Sequence, residues 1–148
     1  MIQFLLGAWI AVMGAGISMQ PLLNAQVASR AGHPIYGALI SVFVSTCLMA
    51  VLVVAGRLPA PNLRELLAGP WWMWIGGIIG ALYVLAALMA TPRLGAATTV
   101  AIFIAGQLIA SILIDHFALL GVPGHPIDLP RLIGVAMLAG GVVLIRWV

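Results

Sequence analysis

The amino-acid sequence predicts an all-α integral membrane protein of five transmembrane helices, paired with a second copy as an antiparallel, dual-topology homodimer. Three observations carry that expectation. Hydrophobic residues make up 64% of the 148 residues and charged residues only 6%, for a mean hydropathy of +1.24. A soluble domain carries about a quarter charged residues, so a chain this poor in charge must have lipid as its solvent. Next, apolar runs recur at close to the roughly 20 residues that a helix needs to cross the hydrocarbon core. Finally, the arginines divide evenly between the two sides that five crossings would create.

The first run, 2–28, begins without a basic leader and is longer than a signal-peptide core, so it is expected to remain as a helix. "RAGHP" closes it, and the second run follows at 34–55. A longer, proline-bearing loop, "GRLPAPNLREL", has room for a short surface helix before the third run at 71–90. Trp71, Trp72 and Trp74 open that run, where the headgroup belt favours tryptophan. "TPRLG" is expected as a tight connection to the fourth run at 94–120. After "GVPGHPIDLPR", the fifth and shortest run spans 132–148 and ends on Trp147. The whole chain, 1–148, is one transmembrane domain.

All six basic residues are arginine, and they stand singly between apolar runs. With no basic patch, they read as interfacial anchors and topology signals, and nucleic acid is not an expected partner. Five crossings place Arg57, Arg64 and Arg131 on one side and Arg30, Arg93 and Arg146 on the other. The positive-inside rule then gives no preference. Either the tie is chance, or copies insert both ways and pair antiparallel. In the second case two identical chains supply the inverted repeat that larger transporters carry within one chain.

Polar groups inside the spans mark candidate sites, because lipid cannot satisfy them. Gln20 and Asn24 are four apart on the first helix, with Ser18 nearby and Pro21 between them. Pro21 removes an amide hydrogen and can kink the helix. This face either glues the bundle by interhelical hydrogen bonds or lines a substrate cavity. On the fourth helix Thr99, Phe103, Gln107, Ser111 and Asp115 form an i, i+4 ladder. Asp115 lies ~30 Å of helical rise beyond Gly95, near one end of the span. It is either an interfacial acid that tethers the following loop or a group that attracts a cation or exchanges a proton. His116 points about 100° away on a helix, so the two do not act as a pair.

Ser41, Ser45 and Thr46 on the second helix are expected to bond their own helix's carbonyls. Gly76, Gly80, Gly134, Gly140 and Gly141 offer small surfaces for helix packing, or for the contact between protomers. Cys47 stands alone in an apolar run and is expected as a small hydrophobe. No spacing suggests a nucleophilic site, a phosphate loop, a metal site or a cofactor, and an enzyme is not expected.

"GAGISMQPLLNAQVAS", "AGHPIYGALISVFVST" and "TPRLGAATTVAIFIAGQLIASILIDHFALLG" together resemble the YdcZ-like family, a small branch of the drug/metabolite transporter superfamily. The most specific elements are Gln20 and Asn24, Pro92-Arg93-Leu94-Gly95, and Gln107 with Asp115-His116-Phe117, while "RLIGVAMLAGGVVLIRWV" is similar to the superfamily's terminal helix. The resemblance implies five helices in the bacterial inner membrane and kinship with small multidrug resistance transporters, which work as antiparallel dimers. It also implies dual-topology single genes, oppositely oriented gene pairs or fused repeats. Those relatives use a first-helix glutamate, whereas this first helix has no acid, so proton coupling by that route does not carry over. The expected function is a secondary transporter of small solutes working by alternating access. A small dual-topology ion channel and a non-transporting scaffold or accessory subunit are the other readings.

Overall fold

The computed structural model describes residues 1–121 and 123–147, without the side chains of Arg146 and Trp147. The predicted end of the fifth run at Val148, and the belt position of the Trp147 ring, therefore lie outside the described residues. Helix α1 spans Ile2–Ala31, α2 Pro34–Ala55 and α3 Leu63–Ala68. A 3-10 turn at Trp71–Trp74 leads straight into α4, Ile75–Leu94. Helix α5 is Ala96–His116, a second 3-10 turn covers Leu119–Gly121, and α6 is Leu129–Trp147. Among the described residues four segments are long and apolar enough to cross a membrane: Ile2–Ala31, Pro34–Ala55, Trp71–Leu94 and Ala96–His116. The apolar part of α6, Leu129–Ile145, is shorter.

The chain divides into two compact units, the first Met1–Arg93 and the second from Leu94 onward. In the first, Gly32 (φ +84°) and His33 turn the chain between α1 and α2. A left-handed conformation at Gly32 ends α1 at little steric cost. His33 then caps α2, its Nδ1 accepting the Ile35 N–H at 3.2 Å, with Pro34 at the first helical position. The hairpin closes on Gly37, where a Cβ would lie 2.6 Å from Ala28 Cβ and 2.8 Å from the Asn24 carbonyl oxygen. Only glycine allows this approach. Ala28, Ala38 and Leu88 form the core there, flanked by Val84 and Leu85, so α4 packs against the hairpin. Arg93 lines the same cleft as Gly32, His33 and Pro34. The C-terminal end of α4 is therefore at the α1–α2 turn, and α1 and α4 run in the same sense.

"TPRLG" was expected as a connection, but α4 continues through Pro92 to Leu94. Proline forfeits one backbone bond without necessarily ending a helix, and the buried Thr91 hydroxyl donates to the Ala87 carbonyl at 2.8 Å. Gly95 alone makes the break, at φ +83° and ψ 156°. Similarly, α1 stays helical across Pro21 and runs three residues past the predicted end at Ala28.

In the second unit α5 and α6 pack together. Helix α5 stops at His116, short of the predicted 120, because the chain turns back on it. The Asp115 carbonyl accepts the Ala118 N–H at 3.3 Å and the His125 N–H at 2.9 Å. Ala118 (φ +50°), Leu120 (φ +58°) and Gly121 (φ +79°) take left-handed conformations through the turn. Asp128 caps α6 by accepting the Arg131 N–H at 2.9 Å, which starts that helix three residues before the expected 132.

Candidate functional site

The predicted site residues fall into two groups, one in each unit, and each group has its own local geometry. On α1, Ser18 is half-buried and its hydroxyl donates to the Gly14 carbonyl at 3.2 Å. That bond absorbs its one proton. Gln20 is half-buried, while Pro21, Asn24 and Ala28 form the buried stripe facing α2. Among the described residues neither the Gln20 nor the Asn24 amide makes a side-chain hydrogen bond, and no fully buried side-chain N or O atom lacks a partner. Asn24, although buried as a residue, must therefore keep its amide atoms open to a space rather than sealed in the core.

On α5 the ladder divides by chemistry. Thr99 is buried and its hydroxyl donates to the Gly95 carbonyl at 2.8 Å, so it serves the helix start. Gln107 and Ser111 are exposed, and within the described residues their side chains make no hydrogen bond. Asp115 is half-buried, with its Oδ2 accepting from Arg131 Nη1 at 3.4 Å. His116 turns away, as helical geometry requires, and its Nδ1 accepts the Ile127 N–H at 3.2 Å. Its ring also meets Phe117 edge-on at 4.8 Å between centroids. The two adjacent residues thus both hold the returning end of one loop, at His125, Ile127 and Arg131. Asp115 has the tethering partner that one reading of the sequence allowed.

The small-residue positions are open. A Cβ at Gly76, Gly80, Gly134, Gly140 or Gly141 would meet nothing within 4 Å. Gly80 instead borders a groove of about 390 Å³, lined also by Ser41, Ser45, Thr46 and Gly77. Two of the groove's three hydroxyls bond their own helix, with Ser45 donating to the Ser41 carbonyl at 3.0 Å and Thr46 to the Val42 carbonyl at 2.9 Å. The Ser41 hydroxyl, expected to do the same, makes no hydrogen bond among the described residues. Sequence spacing missed Gly37, the glycine that the chain itself uses for close packing. It also missed the Arg131 partner of Asp115, although Asp128 just before the apolar run is an N-cap signal for an earlier start of α6.

An apolar helical chain with unsatisfied amides in its long helices is the setting for the comparison with known proteins. Residues 5–144 match the model of the family described as "Putative inner membrane exporter, YdcZ". The chain belongs to the YdcZ family. It is 29% identical over 122 residues to the inner membrane protein YdcZ of Escherichia coli (strain K12), covering 82% of this chain and 81% of that protein. No solved structure matches it. As a YdcZ family member it is a multi-pass inner-membrane protein, and the family's description names an inner membrane exporter and no enzyme activity.

Proposed function

We propose that this YdcZ family protein is a small secondary transporter of the drug/metabolite transporter type, working by alternating access as an antiparallel homodimer. The observation that carries the reading is the set of side-chain amides, Gln20, Asn24 and Gln107, that have no partner among the described residues and stand within helices long enough to cross the membrane. An amide left without a partner in hydrocarbon costs several kcal/mol. Such groups persist where a watery cavity, a solute or a second protein surface meets them. Gln107, exposed on α5, has the greatest need of such a partner.

The fifth crossing in this reading is α6. Leu129–Trp147 is 19 residues, and at 1.5 Å per residue it rises about 28 Å, close to the thickness of the hydrocarbon core. Arg30 and Arg93 then share one side, in keeping with the common sense of α1 and α4, and three arginines face three. Two inverted copies resolve the tie, because neither orientation is preferred. Their two-fold axis makes the inward- and outward-facing states equivalent by exchange of roles between protomers.

Gln20 and Asn24 stand in the C-terminal half of α1 and Asp115 at the end of α5. With five crossings those ends lie on opposite sides of one chain. Inversion brings Asp115 of a second copy to the level of Gln20 and Asn24 of the first. Two equivalent polar clusters result, with Gln107 closer to the middle. In this arrangement the Asp115–Arg131 pair holds the returning loop at the mouth, and the amides line the path.

Crosslinking tests the pairing. Gln20→Cys and Asp115→Cys are placed on differently tagged copies, with Cys47→Ser in both. The reading expects a crosslink between the two tags. Crosslinks only between identical positions of parallel-aligned copies would overturn it.

A further inference from the structure

The first unit holds a second feature that the transport reading does not use. A cleft of about 340 Å³ opens beside the α1–α2 turn, bordered by Ser29, Gly32, His33, Leu88, Pro92 and Arg93. Arg93 is exposed and forms no ion pair or hydrogen bond among the described residues. The chain has only three acids, and among the described residues none of them pairs with Arg93. Asp115 pairs with Arg131, Asp128 caps α6, and Glu65 lies in α3, beyond the other end of α2. Nothing in the described chain neutralises Arg93.

His33 adds a donor. Its Nδ1 accepts the Ile35 N–H, so that nitrogen carries no proton and Nε2 holds the ring proton of the neutral form. Ser29 is spent as a donor, since its hydroxyl already donates to the Gln26 carbonyl at 2.8 Å. The ends of α1 and α4 bring partial negative charge to this region, and Arg30 and Arg93 stand in their last turns. Offsetting a helix dipole takes about half a charge. A whole guanidinium with five N–H groups leaves capacity for a ligand.

We infer that this cleft is a binding site for an anionic oxygen group, phosphate or carboxylate, held by Arg93 with His33 Nε2 as the second donor. The anion comes either from a phospholipid headgroup or from a free solute in water. Ala25, Ala28 and Leu88 form an apolar wall that strengthens the charge-assisted bonds. The inference concerns binding alone and does not depend on transport or on dimer orientation.

The test is thermal unfolding of the full chain in a neutral detergent, at constant ionic strength made up with sodium chloride. One arm titrates inorganic phosphate. The other titrates phosphatidylglycerol against phosphatidylcholine in mixed micelles. Stabilisation of the wild type is expected in at least one arm. Arg93→Gln should raise the half-saturating concentration about tenfold, the loss of one charge-assisted interaction. Arg57→Gln should leave it unchanged. A response to phosphate identifies a free anion, and a response to phosphatidylglycerol alone identifies the headgroup. No stabilisation in either arm overturns the inference, as does an equal loss in Arg93→Gln and Arg57→Gln. If Arg93→Gln does not fold, His33→Asn decides, because asparagine preserves the helix cap and removes the Nε2 donor. His33→Asn should weaken binding about threefold, and unchanged binding there overturns the inference.

Discussion

Asp115 at the end of α5 and Arg131 in the first turn of α6 meet at 3.4 Å between Oδ2 and Nη1, across a sixteen-residue separation. The contact joins two helices at the point where the chain doubles back. It also neutralises an acid in a protein that has only three. Both side chains keep about a third of their surface open, 32% for one and 36% for the other, so the pair is a modest source of stability.

Asp115→Ala and Arg131→Ala should each lower stability by about 0.2–1 kcal/mol, the range for solvent-accessible pairs. The exchange Asp115→Arg with Arg131→Asp should recover part of that loss. Melting temperatures of the singles and the double in detergent give the coupling. Additive losses would mean that the contact contributes nothing.

The loop held by this pair should loosen when its second tether is cut. His116→Ala removes the acceptor of the Ile127 N–H and should raise hydrogen exchange of the 123–128 segment by about threefold to tenfold, the worth of one hydrogen bond. Exchange mass spectrometry reads this directly. Unaltered exchange would show that the Asp115 contacts suffice.

Gly37→Val should destabilise the protein by roughly 1–3 kcal/mol, because the added carbons meet Ala28 and the Asn24 backbone where no space exists. Gly80→Val should leave the folded chain's stability within about 0.5 kcal/mol, as a Cβ there meets nothing. If Gly80 serves the protomer contact, that variant should instead reduce energy transfer between labelled copies in liposomes. Equal melting losses at positions 37 and 80 would contradict this division.

Gln107→Leu and Asn24→Leu should fold as well as the wild type, since each removes an amide with no partner among the described residues. Transport should fall by about tenfold or more, as expected when a polar contact to the solute worth ~1.4 kcal/mol or more is lost. Asp115→Asn should cost less, because its carboxylate already serves Arg131. Solid-supported membrane electrophysiology on a solute panel measures these differences. If Gln107→Leu and Asp115→Asn change no assay, the scaffold reading gains, and channel-like flux without countertransport would favour the channel.

The sequence revealed what local chemistry determines. The ends of α2 are the ones expected, because Pro34 at its start and Gly56 after its end act within a few residues. The short surface helix in the Gly56–Leu66 loop is real as α3, with Asn62 Oδ1 accepting the Glu65 N–H at 3.4 Å. The ladder on α5 needed only helical arithmetic. By contrast, the end of α5 depends on His125, nine residues beyond the last helical residue, and "FALL" gives no compositional sign of a stop. Pro92 is a plausible breaker by residue type, yet Gly95 breaks the helix by its backbone angles. Gly37 escaped notice because its partner, Ala28, belongs to another helix, and intrahelical spacing cannot reveal such a contact.

The inverted homodimer is the central claim, and accessibility of the two termini tests it most directly. Each terminus carries a small tag and is labelled from outside intact, right-side-out membrane preparations, then again after permeabilisation. The account predicts two populations, with each terminus reachable from outside in a substantial fraction of the molecules. A single orientation for every copy would contradict it and require a separate, oppositely inserted partner chain.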